Sequence, residues 1–177
     1  MKRLNIFSHP SGLSHDTGPG HPETAARLDI LRKMMVEPEF ENFKVIEPEK
    51  ASFEQIIRAH SKSHLQDLED ADPDRGLIAI DAGDTILSPS SLEAIYHAAG
   101  APCQAVDAIH ADDIDRAFCM NRPPGHHAEK DRAMGFCFLN NVFIGALHAC
   151  ETYGYKRIAI VDFDVHHGNG TDNMARA

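Results

Sequence analysis

Two stretches of this chain place histidine and aspartate at spacings that suit hydrolytic chemistry: R-P-P-G-H-H-A at 122–128 and V-D-F-D-V-H-H-G-N-G at 161–170. In an extended segment side chains point the same way at every second residue. Asp162, Asp164 and His166 therefore project from one side, Phe163 and Val165 from the other. Asp164 and His166 stand about 6.6 Å apart along such a segment, by ~3.3 Å rise per residue, close enough to converge on one ion. A carboxylate and an imidazole with no thiolate point to zinc, manganese or iron(II).

His126 and His127 supply the complementary chemistry. A metal-bound water can lose a proton near neutral pH, and an imidazole with an ordinary pKa of about 6.5 can take and return it. Two histidines can divide base and acid duties, each turned by an acceptor behind it, and Asp162 is the evident acceptor for one. Gly168-Asn169-Gly170 reads as a turn that doubles the backbone back and keeps the site open. Either motif alone is more often a loop or a satisfied core pair, but both together at strand ends, with glycine-lined corners, are hard to explain as packing. His9, His15, His60, His64, His97, His110 and His148 read as surface or core residues, and His21 is left open. Cys137 reads as a small buried residue rather than a reactive thiol.

The rest of the composition narrows the class. At 177 residues, 42% apolar and 25% charged, the chain fits one water-soluble domain with its own core. A net charge of −10 opposes binding to phosphate backbones, so no direct nucleic-acid partner is expected. The same charge would attract basic ligands such as lysine side chains or polyamines, though it is also an ordinary solubility charge. Cys103, Cys119, Cys137 and Cys150 form no C-x-x-C pair, which suits a reducing cytoplasm. Residues 1–10 lack an apolar core like that of a signal peptide, and no run approaches a membrane span.

The elements that must position the two motifs alternate. Helices are expected at about 23–36, from Ser52 as cap through 58, from Ser61 as cap through about 70, at 90–110 with an interruption or bend near 100–102, and at 140–153. Residues 72–89 read as loops. Strands are expected at 117–120 and, buried, at 156–163, where Ile158, Ile160 and Val161 favour β structure. Strands separated by helices imply a parallel sheet covered on both faces, a three-layer α/β/α class in which ligands bind at the carboxyl ends of strands. Both motifs lie at such ends.

R-P-P-G-H-H-A, then G-F-C-F-L-N-N at 135–141 and D-F-D-V-H-H-G-N-G-T at 162–171, closely resemble the histone deacetylase family, especially its class II and bacterial deacetylase-like branches. G-H-P-E-x-x-x-R-L at 20–28 and D-T-x-x-x-x-S at 84–90 extend the resemblance over nearly the whole chain. It implies the arginase/deacetylase fold with a mainly parallel sheet, and zinc-dependent hydrolysis of an acyl amide, usually an acetylated lysine, polyamine or small amine. By position, Asp164 and His166 match two of three zinc ligands. His126 and His127 match the paired catalytic histidines, Asp162 the partner of the first and Asn169 that of the second, where other branches carry aspartate. Gly135 and Phe136 match the wall of the acyl-lysine tunnel, Asp84 a substrate-backbone acceptor at its rim, and Arg27 an arginine near its floor. Carbonyls around Asp162, Asp164 and His166 match a structural potassium site.

The resemblance also implies an aspartate ligand and a transition-state tyrosine well downstream of D-x-D-x-H-H, whereas eleven residues follow His166. Tyr155 is not that tyrosine, since it enters the expected final strand some ~23 Å from the site, at ~3.3 Å per residue. The family's later strands insert among the earlier ones in the sheet. The expectation is an amino-terminal portion, 1–177, of a single deacetylase-like domain, ending in the first turn of a helix capped by Thr171. The alternative is a non-catalytic relative that binds metal or acyl-lysine without turnover. A two-metal arginase-like hydrolase is a third reading, against which the lack of a D-x-H-x-D pattern counts.

Overall fold

L-N-I-F near the start of the chain is a short β-favouring run, and it becomes the middle strand of the sheet. The computed structural model describes residues 3–176. In chain order the elements are β1 (Leu4–Phe7), α1 (Ser11–Ser14), α2 (Ala25–Met34), a 3-10 turn (Pro38–Phe40), β2 (Lys44–Ile46), α3 (Phe53–Ala59), α4 (Lys62–Asp70), β3 (Ile78–Ala79), β4 (Ile86–Leu87), α5 (Ser91–His110), β5 (Arg116–Cys119), α6 (Asn141–Tyr153) and α7 (Asn169–Arg176). β2, β1 and β5 form a parallel sheet in that order, with Ile6 opposite Val45 on one side and Phe118 on the other.

Successive residues of β1 point to opposite faces, and each face has its own cover. Ile6 packs with Leu28 of α2 and with Met120, while Phe7 packs with Ala101 and Ala105 of α5 and with Ile114. The expected α/β/α layering is therefore present. The largest core lies beyond the sheet, where Ile56, Leu65, Leu68, Ile95, Phe138, Leu139 and Ile144 bring α3 to α6 together. Among the described residues no helix is long and apolar enough to cross a membrane.

Local signals place most helices. Ser52 accepts from the Gln55 N–H while the Gln55 side chain accepts from the Ser52 N–H, a reciprocal cap that starts α3. Ser61 caps α4 and Asn140 caps α6 in the same way on one side only. α5 runs through Pro102 without the interruption expected as one possibility near 100–102, because Ala98, Ala99, Ala101 and Cys103 are all buried and packing holds the turn that lacks one N–H donor. The loop region 72–89 contains a small antiparallel hairpin, β3 paired with β4.

The expected buried strand at 156–163 is not there. The segment pairs with no strand, and Ile158, Val161 and Phe163 are exposed, Phe163 at 96%. β propensity reports how well a side chain packs against cross-strand neighbours, and no neighbouring strand flanks this run. Thr171 is not a cap either, since α7 begins two residues earlier and buries Thr171 inside its first turn.

Candidate active site

The loop from β5 to α6 is anchored from below. Met120 N–H donates to Phe7 O at 2.8 Å, and the Arg122–Pro123 peptide that follows is cis. Arg122, 5% exposed, grips Glu23, 1% exposed, by two parallel bonds: Nε to Oε1 at 2.5 Å and Nη2 to Oε2 at 2.7 Å. Its remaining donors reach the carbonyls of Gly12, His15 and Glu23. Sequence reasoning missed this pair. The only signal was one unpaired charge in each of two motifs, the glutamate of G-H-P-E and the arginine of R-P-P.

Above that anchor stand the two histidines, their ring centroids 4.1 Å apart. His126 Nδ1 lies 2.8 Å from Asp162 Oδ2, and His127 Nδ1 lies 2.7 Å from Asn169 Oδ1. The amide of Asn169 is oriented by its other end, because Nδ2 donates to Glu129 Oε1 at 3.0 Å and to His127 O at 3.4 Å, leaving Oδ1 to face the ring. Each Nδ1 is thus a donor, and the lone pair of each neutral ring is on Nε2. Asp162 is held below the usual carboxylate range, first by the hydrogen bond from His126 and further by the Asp164 N–H.

Gly168 and Gly170 serve this arrangement by closeness rather than by turning the chain. Neither has a positive φ. A Cβ on Gly168 would collide with the Asp162 carboxylate, and one on Gly170 with the Ala128 carbonyl. The chain turns just before these glycines, where the Asn169 N–H donates to His167 O at 2.8 Å, and α7 begins there, tied to the histidine loop by the Thr171 N–H on His126 O at 3.2 Å. Asn140, fully buried, ties the same pieces together: its N–H donates to His60 Nε2 at 2.9 Å and its Nδ2 to Thr171 Oγ1 at 3.0 Å.

Asp164 and His166 meet each other, but at a bend rather than along a strand. Asp164 Oδ1 accepts from the His166 N–H at 2.8 Å and lies 3.0 Å from His166 Nδ1. These bonds, the backbone one first, hold the Asp164 carboxyl below its usual range. The His166 ring stands 6.1 Å from that of His127. Both side chains are exposed, and among the described residues no group of three potential donors surrounds a point. The donor types suit zinc, yet two donors are one fewer than a catalytic zinc ordinarily takes from protein.

The remaining expected site residues are spread around this centre. Gly135 has φ +57° and packs on His127, whose Cδ2 would lie 2.6 Å from any Cβ there. Phe136, also left-handed at φ +70°, meets the His21 ring edge-on at 4.7 Å. Asp84 is exposed, and its carbonyl accepts from His21 Nε2 at 3.0 Å. Arg27 is exposed on a cleft of about 220 Å³ shared with Glu23, Met120, Arg122 and Pro124, whose lining does not include His126 or His127. Cys137 is fully buried, which pushes its thiol up to about 12, as befits a packing residue.

Residues 21–177 match the histone deacetylase domain. Histone deacetylase 14, chloroplastic, from Arabidopsis thaliana is 38% identical over 95% of this chain and 43% of that protein. A probable deacetylase from Archaeoglobus fulgidus is 35% identical over 96% of this chain and 47% of that protein. The crystal structure of the HDA15 HD domain superposes with a TM-score of 0.88 at 28% identity, over 98% of this chain and 50% of that one. The chain thus spans about half the length of these relatives, and its sheet and flanking helices are those of the arginase/deacetylase fold. A domain match over so much of the sequence, on a backbone that superposes nearly end to end, makes this chain a member of the histone deacetylase family.

Proposed function

We propose that the protein is a zinc-dependent deacetylase acting on an acetylated lysine, polyamine or small amine, and that this chain supplies the proton-transfer side of its site. The observation that carries this reading is the side-by-side pair His126 and His127, each with an oxygen acceptor of its own on Nδ1, beside the Asp164–His166 donors. Zinc on Asp164, His166 and a third ligand from outside the described residues would polarise the acyl carbonyl and acidify a water. A potassium site on the carbonyls near Asp162, Asp164 and His166 rests on the resemblance alone.

The chain's own residues handle the protons. Each neutral ring keeps its Nε2 lone pair free, so one histidine accepts the proton of water as the new C–O bond forms. A proton returned to the nitrogen as the C–N bond breaks divides one water between the carboxylate and amine products. The two rings are not equivalent: Asp162 puts a negative charge behind His126, whereas Asn169 puts a neutral amide behind His127. Gly135 and Phe136 form the channel wall, Asp84 its rim and Arg27 its floor. The net charge of −10 suits cationic amine substrates, and four free cysteines suit a reducing cytoplasm.

Zinc titration combined with acetate release from an acetyl-lysine peptide and an acetylated polyamine tests this. One tight metal site is expected. His127→Ala should lower turnover by about 10²–10⁴-fold with zinc affinity retained. Two adjacent metal sites would favour an arginase-like hydrolase, and the absence of any site would overturn the reading.

A further inference from the structure

Asp81 has no role in the chemistry above, yet it is the most heavily hydrogen-bonded carboxylate near the site. Its Oδ1 accepts from the N–H groups of Gly83, Asp84 and Thr85 at 3.2, 2.8 and 2.8 Å. Its Oδ2 accepts from Thr85 Oγ1 at 2.7 Å and from the Gly135 N–H at 3.2 Å. Having donated its proton to Asp81, the Thr85 hydroxyl, wholly buried, accepts from the Phe136 N–H at 3.0 Å. Two consecutive left-handed residues turn their N–H groups the same way, and here both point at one carboxylate–hydroxyl pair. Left-handed backbone is disfavoured for phenylalanine, so something must hold it.

What the pair holds is the meeting point of three site residues. Gly135 lies against the His127 ring, Phe136 lies against His21, and His21 bonds back to the Asp84 carbonyl. The tautomer of His21 is fixed as well, because its Nδ1 accepts from the Glu23 N–H at 3.1 Å and Nε2 is therefore the donor. The contacts close a ring from Asp81 through Gly135, Phe136, His21 and Asp84 back to Asp81. We propose that Asp81 and Thr85 are positioning residues that fix the Gly135–Phe136 wall against His127 and so set the width of the acyl-lysine channel. Neither touches substrate. The inference rests on the deacetylase reading for what the channel admits, but not for the clamp itself.

The test uses the full chain and three variants, Thr85→Val, Thr85→Ser and Asp81→Asn, each checked for folding by its thermal midpoint. Two quantities are read: the backbone amide resonance and φ-dependent coupling of Phe136, and the binding of Nα-acetyl-Nε-acetyl-lysine amide. Thr85→Val removes one hydroxyl without changing shape. It should abolish the left-handed coupling of Phe136 and weaken probe binding about five- to tenfold, the value of one lost hydrogen bond. Thr85→Ser should restore both. A folded Thr85→Val protein that keeps the parent coupling overturns the clamp, as does unchanged probe binding in both Thr85→Val and Asp81→Asn. If the parent fails to bind the probe, the claim that this chain's channel admits acyl-lysine fails by itself, and the Phe136 coupling alone decides the clamp. Should Asp81→Asn fail to fold, the two threonine variants carry the same decision.

Discussion

The loop carrying His126 and His127 and the segment carrying Asp164 and His166 meet at one site but are built in opposite ways. The first rests on buried groups that satisfy one another: Arg122 on Glu23, Asn140 on His60 and Thr171, His64 on the Phe138 carbonyl. The second has exposed apolar side chains, no strand partner and hydrogen bonds mainly to itself. Its one firm link is Asp162 to His126. Proton transfer needs rings held in one orientation before substrate arrives, and the histidine loop has that preorganisation. Asp164 and His166, exposed and hydrogen-bonded chiefly to each other, lack it.

The largest expected effect attacks the anchor of the ordered region. Glu23→Ala would leave the Arg122 guanidinium buried without its counter-charge, a loss of about 3–5 kcal/mol of folding free energy, read as a shift in the urea midpoint. A change below about 1 kcal/mol, the scale of an exposed pair, would mean that Arg122 reaches water and that the contrast with 156–168 is overstated.

Acid should separate the two regions by pH. Burial, partly offset by Glu23, lowers His15 from 6.5 to about 4, and burial with the neighbouring His64 lowers His60 likewise. The folded state thus binds these protons less readily than the unfolded chain. Stability is full above pH 6.5 and falls as pH drops towards 4, by roughly 3 kcal/mol per histidine at about 1.4 kcal/mol per unit. Asp162 shifts the other way: its folded pKa is depressed, so its contribution is present above the usual carboxylate value and is lost only below it. Unfolding free energies from pH 7 to 3 should show the histidine slope first, and His15→Gln should flatten it. A flat profile from 6.5 to 4 would show those rings to be solvated.

Those buried partners also mark the limit of what the sequence could tell. Helix caps such as Ser52 and Ser61 were legible because each interaction spans three residues. His126, His127, Asp162 and Asn169 could be named from two short motifs, and the folded chain brings them together across about forty residues. Arg122 with Glu23 spans 99 residues, and Asp81 with Gly135 spans 54, with nothing local to announce either. Gly168 and Gly170 looked like turn formers because closeness to the Asp162 carboxylate and the Ala128 carbonyl is a tertiary fact. The strand expected at 156–163 failed for a related reason: Ile158, Ile160 and Val161 favour a sheet only where neighbouring strands exist to receive them.

That failure supplies the smallest expected effect and the sharpest check on the contrast. Phe163, 96% exposed, buries almost nothing, so Phe163→Ala should change folding free energy by less than about 0.5 kcal/mol, as at other exposed positions. At Phe138, fully buried, the same substitution should cost about 3–5 kcal/mol. Urea unfolding of the two variants side by side measures the difference. A cost above about 2 kcal/mol at Phe163 would mean that the segment buries its apolar side chains in solution, against a second copy or another partner. Asp164 and His166 would then stand on a supported strand, and the two sides of the site would be equally ordered.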